Sequence, residues 1–352
     1  MKNSIISKTL FLGALLSSVF TFAGNEDRSG SAGAPQLLVN PWARSGAMGD
    51  AGVANVNGLE ATFTNIAGLA FTDKTQLKFN YTNWMGSSKI AYNSAGLAQR
   101  ISDNSVISVS VQSMNFGDIA ITTVDNPEGG IGTFSPRIST FNVGYAKSFS
   151  SSIHAGINMK VVSESISNLK CTGVAFDAGI RYVTGEKDHI KFGITLKNVG
   201  PVMKYRGDGF GQQATYINSS LTATLQERPQ SFELPSMLSI GGSYDFIFNE
   251  NTKLTTALAY TANSFSHDQY RAGLDFVMST EKVSFSLKAG YVYEKNIFSS
   301  ENRSNALVGP TAGFSVDALA GKNKSPLGIE YCARMAGIFG VVHTFGTTIS
   351  IK

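Results

Sequence analysis

Apolar and polar residues alternate along most of the chain. In one example, Ile153, Ala155, Ile157, Met159 and Val161 are separated by polar or small residues. A period of two places successive side chains on opposite faces of a β-strand. A soluble β-sandwich also alternates, but such long runs are less frequent in it. We count fourteen alternating segments, at 75–85, 89–102, 105–123, 136–150, 152–167, 171–185, 189–199, 235–248, 252–264, 269–279, 283–295, 309–319, 326–336 and 341–351.

These segments predict an all-β fold, a 14-stranded antiparallel transmembrane β-barrel. Beyond residue 23 the sequence holds no apolar run of about 18 residues, which a helical membrane span requires. A closed barrel is the other structure that satisfies every backbone hydrogen bond within a bilayer. Fourteen is also an even number, as in bacterial single-chain barrels. An even count places both chain ends on the same side.

The connections between the segments alternate in length. Successive connections between strands lie at opposite ends of a barrel. One set of alternate connections contains six short polar turns and the other contains three long connections, which is typical of barrels with short periplasmic turns and long outer loops. The short turns are 103–104, 150–151, 185–188, 249–251, 280–282 and 321–325. The long connections are 124–135, 200–234 and 296–308.

The chain divides into three parts. Residues 1–23 combine Lys2 and Lys8 with a mostly apolar run that ends at Ala23, which predicts a signal peptide cleaved near Ala23 and export to the outer membrane. Residues 24–72 form an N-terminal extension, in which 24–34 are expected to be loose. We expect 35–72 to plug the lumen, and a simple periplasmic extension is the alternative, because fourteen strands enclose more space than wall side chains fill. Residues 73–352 are the barrel.

Composition agrees with a membrane barrel. Hydrophobic residues make up 42% of the chain and charged residues only 15%, against about 25% charged in average soluble domains. The net charge is +4, and it falls to +2 without the two lysines of the signal peptide. A balance so close to neutral argues against nucleic acid as a partner.

Candidate chemistry is sparse. The histidines have no metal-site spacing, and neither a metal nor a cofactor is expected. Cys171 and Cys332 lie in distant segments, so we expect no disulfide between them. Charged residues of both signs occupy positions that alternation assigns to the lumen, which predicts ion pairs inside the barrel. They are Lys160, Asp177, Arg181, Lys191, Lys197, Arg271, Asp275 and Lys288.

The block 34–71 resembles the N-terminal signature of the PorV/PorQ family of outer-membrane proteins, which is related to FadL-like barrels of fourteen strands. The block reads APQLLVNPWARSGAMGDAGVANVNGLEATFTNIAGLAF. Ile66 stands where FadL-type proteins have proline, which weakens a transfer of their transport role. The family-motif residues are Asn40, Pro41, Arg44, Gly49, Asp50 and Asn65.

This resemblance implies a non-enzymatic component of the type IX secretion pathway. Its partners would be the translocon or surface attachment-complex proteins, the C-terminal domains of exported cargo, and outer-membrane lipid. The long loops would be the recognition surface. The alternative is a FadL-like outer-membrane channel for small hydrophobic molecules, which rests on shared architecture.

Overall fold

The computed structural model describes residues 24–88, 90–215, 221–299, 303–320 and 325–351, and the predicted signal peptide 1–23 lies outside them. Within this part of the chain, fourteen long strands form the wall. They are β1 (Thr75–Trp84), β2 (Ile90–Ser102), β3 (Ser105–Asn115), β4 (Arg137–Ser148), β5 (Ile153–Ile166), β6 (Leu169–Thr184), β7 (Ile190–Val199), β8 (Met237–Asn249), β9 (Thr252–Asn263), β10 (Gln269–Ser279), β11 (Val283–Glu294), β12 (Gly309–Ala320), β13 (Ser325–Met335) and β14 (Val341–Ile351).

The strands close into one antiparallel barrel. Each strand pairs with its neighbours in chain order, and β1 pairs with β14 so that Phe79 lies opposite Thr347. The prediction of a closed 14-stranded antiparallel barrel is therefore confirmed. Closure removes the free sheet edges that an open sheet would expose. None of the described helices is long and apolar enough to cross a membrane.

The third predicted segment, 105–123, was too long. Strand β3 ends at Asn115, and the chain then turns at Gly117, whose φ of 74° is accessible to glycine without a steric penalty. Beyond this turn, Ile119–Ala120 pairs with Thr133–Phe134 in a separate two-stranded arm. Alternation continues through the turn in the sequence, but hydrogen bonding to the wall does not.

The two faces of the wall differ as the alternation predicts. Large apolar side chains such as Ile157, Ile180 and Ile329 are exposed on the outer face, where a bilayer would cover them. The eight charged residues predicted to face the lumen are buried or largely buried. Three ion pairs between wall residues involve members of this set: Lys160 with Asp177, Lys191 with Asp245, and Lys288 with Asp275.

The two ends of the barrel also differ. The five short turns 103–104, 150–151, 185–188, 249–251 and 280–282 share one end, called here the short-turn end, and the described parts of the long connections share the other, the long-loop end. The predicted turn 321–325 lies outside the described residues except for Ser325. At the long-loop end the connection from β7 to β8 forms a hairpin of Gly211–Thr215 with Thr222–Gln226. In the same connection the Tyr205 hydroxyl donates to Glu164, and burial together with this carboxylate raises the pKa of Tyr205.

Residues 24–34 lie at the long-loop end, not at the end where β1 begins. Arg28 Nη2 is 2.6 Å from Glu233 Oε1 and its guanidinium covers the Phe265 ring. Ala34 is buried. At the opposite end, the Lys74 amide donates to the Ile351 carbonyl. The expectation that both chain ends lie on one side was therefore wrong for 24–34, because the strand count constrains only where β1 starts.

Candidate functional site

Residues 35–72, the inner segment, lie against inward-facing side chains on several sides of the barrel. The segment contains only short helical elements: Pro35–Leu38, the α-helix α1 (Ala43–Ala47), Gly58–Thr62 and Ile66–Phe71. Several of its backbone carbonyls accept hydrogen bonds from side chains of the wall. The donors come from three neighbouring strands and from one strand far around the barrel: Asn158 of β5 bonds the Thr62 carbonyl, Arg181 of β6 the Val56 carbonyl, Lys197 of β7 the Phe63 carbonyl, and Thr311 of β12 the Ala47 carbonyl.

Asn40 organises the start of the inner segment. Its Oδ1 accepts from the Trp42 amide at 2.9 Å, which is a local turn that asparagine favours. Its Nδ2 donates to Ser45 Oγ at 2.9 Å and also to Asp50. The two motif residues Asn40 and Asp50 are thus brought together across helix α1. The neighbouring Pro41 carbonyl accepts from Ser94 Oγ at 3.4 Å.

Gly49 and Asp50 turn the chain under the β10–β11 wall. Both have left-handed backbone angles, with φ of 62° and 57°. A Cβ on Gly49 would lie 3.2 Å from the Tyr291 amide nitrogen, so glycine allows both the turn and the close approach. Asp50 Oδ2 lies 3.8 Å from Arg271 Nη1, which ties the turn electrostatically to β10.

Arg44 belongs to a buried cluster of five charged groups, the ion cluster. Arg44 Nε donates to Glu330 Oε1 at 2.6 Å, and its Nη2 donates to Asp317 Oδ1 at 2.6 Å. Lys78 Nζ donates to the same Glu330 oxygen at 2.8 Å and to Glu60. Glu60 in turn accepts from the Ser45 amide at 2.6 Å. Two cations and three carboxylates therefore fasten helix α1 to strands β1, β12 and β13.

Asn65 holds the far part of the inner segment against β6. Its Oδ1 caps the turn Ile66–Phe71 by accepting from the Ala67 amide at 3.1 Å. Its Nδ2 donates to the carbonyls of Val53 at 2.8 Å and Ile180 at 3.1 Å. Gly179 makes room for it, because a Cβ there would lie 2.1 Å from Asn65 Oδ1.

Two cavities lie on either side of the inner segment. The outer cavity, at the long-loop end, measures about 370 Å³ and reaches Gly46, Gly49 and Asp50. The inner cavity, at the short-turn end, measures about 430 Å³ and reaches Arg44 and Met48. Residues 44–52 therefore separate the two spaces. The outer cavity is largely apolar, whereas several charged groups of the ion cluster line the inner one.

The motif residues are not one compact site. Asn40, Gly49 and Asp50 form the turn around helix α1, Arg44 enters the ion cluster, and Asn65 lies apart against β6. Sequence reasoning missed Lys78, Glu330 and Arg334, although all three occupy inward positions of alternating strands and could have been found. Glu60 carries no such signal, because it lies in an irregular segment.

Metal and thiol chemistry can be described for the residues in the structure. Among them, no group of three or more His, Cys, Asp and Glu side chains could hold a metal ion. Cys171 and Cys332 are both buried and free, as expected from their separation along the barrel.

Solved structures with a similar fold include a transporter and a hydrocarbon channel. The toluene transporter TodX of Pseudomonas putida is 12% identical, with a TM-score of 0.53 and coverage of 89% of this chain and 98% of that one. The CymD monoaromatic hydrocarbon channel is 13% identical, with a TM-score of 0.51 and coverage of 89% and 96%. These low identities establish the fold alone.

Sequence comparison identifies the family. No curated protein matches the chain. Residues 22–264, well over half of the chain, match the family described as Type IX secretion system protein PorV. The match includes the motif residues of the inner segment and strands β1 to β9. The chain therefore belongs to the PorV family of type IX secretion system proteins.

Proposed function

We propose that the protein is a non-enzymatic outer-membrane component of the type IX secretion pathway. In this role it binds the translocon or the attachment complex, together with the C-terminal domains of exported cargo. The family match over residues 22–264 carries the proposal. The apolar outer face of the wall supports residence in a bilayer, since inward side chains are polar and outward ones are apolar.

The loops at the long-loop end are the proposed recognition surface. Three large apolar side chains there are almost fully exposed: Val124 at 98%, Ile338 at 94% and Phe298 at 89%. They lie in connections beyond the ends of the strands. We take these three side chains as the first candidates for contact with a protein partner, since interface cores are enriched in apolar and aromatic residues.

The inner segment is the proposed plug of this barrel. Its hydrogen bonds reach β5, β6, β7 and β12, and the ion cluster adds β1 and β13. Residues 44–52 separate the outer cavity from the inner cavity. A plugged lumen favours recognition by loops over passage of a solute.

A FadL-like channel for small hydrophobic molecules is the second candidate. The largely apolar outer cavity favours it, because small-molecule sites are apolar pockets of about 300–1,000 Å³. Conduction would require residues 44–52 to move away from the wall. Uptake of a small apolar solute into proteoliposomes measures this directly, and uptake above protein-free vesicles would favour the channel.

Deletion and complementation test the secretion role. We expect a deletion strain to hold cargo in the periplasm or to release it unattached, and the wild-type gene to restore surface display. A variant that carries Val124→Asp, Phe298→Asp and Ile338→Asp should fail to restore display, whereas Asn126→Asp, in the same loop as Val124, should succeed. Heat-modifiable gel mobility confirms that each variant folds. Normal surface display in the deletion strain, with any paralogue also removed, would refute the proposal.

A further inference from the structure

Arg334 is a buried cation, and the described residues supply no partner for two of its three guanidinium nitrogens. It lies near the long-loop end of β13, its exposed fraction is 4%, and it lines the outer cavity. Its Nε and Nη2 are buried and have no hydrogen-bond partner among the described residues. Arginine stays charged at any physiological pH, and an unpaired buried charge is strongly unfavourable. The polypeptide alone therefore leaves the positive charge of Arg334 uncompensated.

The surroundings of Arg334 do not supply the missing anion. Arg271 is the second cation that lines the outer cavity, and its Nε also lacks a hydrogen-bond partner in the described part of the chain. Asp50 is the carboxylate of that lining, and it already accepts from Asn40 and faces Arg271 Nη1 at 3.8 Å. With two guanidinium groups and one carboxylate, the charged lining is net positive.

The rest of the lining is suited to an apolar body. Leu38, Trp84, Met237, Phe265 and Val292 all contribute to the outer cavity. A volume of about 370 Å³ falls within the range of small-molecule sites. A guanidinium prefers carboxylate or phosphate oxygens, which it binds through charge-assisted hydrogen bonds.

We propose that the outer cavity binds an amphiphile whose anionic head group, a carboxylate or a phosphate, bonds Arg334 while its apolar body lies along the aromatic and aliphatic lining. Arg271, which lines the same cavity from β10, adds to its positive charge. The ligand is held above residues 44–52, so binding requires no passage through the barrel. This inference is independent of the secretion role, because it rests on Arg334 and the cavity.

Binding to the purified full-length mature protein in amphipol tests the proposal. The probes are decanoate, decyl phosphate and the neutral 1-decanol, and their binding is measured by equilibrium dialysis. We expect at least one anionic probe to bind about tenfold or more tightly than 1-decanol, because a hydrogen bond to a charged group discriminates on that scale. The tighter anionic probe identifies the head group.

Variants locate the site. Arg334→Gln should weaken binding of the anionic probe by about tenfold or more and leave the affinity for 1-decanol unchanged. Arg334→Lys should restore part of the binding, since it returns the charge. Arg137→Gln is the matched control, because Arg137 is an exposed arginine at the same end of the barrel. Arg334→Gln removes an unpaired buried charge, so heat-modifiable mobility should show a folded barrel that is at least as stable as the wild type.

Three results would overturn the proposal. The first is that neither anionic probe binds. The second is that 1-decanol binds as tightly as both anionic probes. The third is that the Arg334→Gln variant binds the anionic probe with the wild-type affinity. A separate failure of the secretion role would show as normal cargo display in the deletion strain, which leaves these binding measurements unaffected.

Discussion

Replacing Lys78 with methionine should release the inner segment from the wall. Lys78 is nearly fully buried, and its ammonium group donates to Glu60 and to Glu330. Methionine keeps the apolar stem and removes the charge. Glu330 would still have Arg44 as a partner at 2.6 Å, but among the described residues the Glu60 carboxylate would keep only the Ser45 amide as a hydrogen-bond partner.

The expected cost follows from burial. Removing one partner of a buried ion pair costs about 3–5 kcal/mol, because it leaves an uncompensated buried charge. Glu60 lines the inner cavity, where water can approach, and this favours the lower end of the range. We therefore expect a loss of about 3 kcal/mol. The double variant Lys78→Met with Glu60→Gln removes the stranded charge and should recover more than half of this loss.

The two tryptophans allow the inner segment and the wall to be followed separately. Trp42 is buried in the inner segment and Trp84 lies at the end of β1. In a Trp84→Phe background, Trp42 fluorescence during urea titration reports release of the segment. Lys78→Met should lower the midpoint, whereas Lys282→Met, at an exposed turn lysine, should not. If the free energy of unfolding of Lys78→Met lies within about 0.5 kcal/mol of that of the Lys282→Met control, the reasoning is refuted, because surface substitutions change stability by no more than that.

Other substitutions test single contacts of the inner segment. Gly179→Ala should destabilise the segment by about 1–3 kcal/mol, because the added Cβ would meet Asn65 Oδ1 at 2.1 Å. Gly242→Ala is its control, since the nearest atom lies 3.7 Å away, and equal urea midpoints for the two variants would contradict the packing argument. Asn40→Ala should cost about 1–3 kcal/mol, measured by Trp42 fluorescence, because Ser45 and the Trp42 amide lose their partner. Both cysteines should resist a thiol reagent until the barrel is unfolded and then react, and reaction in the folded protein would contradict their burial.

The wall was predictable because its signal is local. Alternation along β11, for example, predicts 283–295, and the structure has Val283–Glu294. The lumen-facing charges follow from the same parity, since a strand turns successive side chains to opposite faces. Strand β3 shows the limit of this signal, because its alternation continues past the point where pairing with the wall ends.

The inner segment was predictable only in part. Its motif residues can be recognised in the sequence, and the turn at Asn40 is a local preference of asparagine. Its path from the long-loop end to the short-turn end depends on contacts with residues far along the chain. Arg28 with Glu233 and Arg44 with Glu330 are examples. Nothing in the short helical elements specifies those partners.

The sequence by itself determined the fourteen strands, the side of the wall that each residue faces and the end that carries the long loops. These are properties of neighbouring residues, and strand geometry converts them directly into structure. The tertiary structure alone decided which buried charges meet and which stay unpaired. Closure of the barrel brings Lys78 of β1 to Glu330 of β13, while Arg334, four residues beyond Glu330 on the same face, lines the outer cavity with no hydrogen-bond partner for Nε or Nη2 among the described residues.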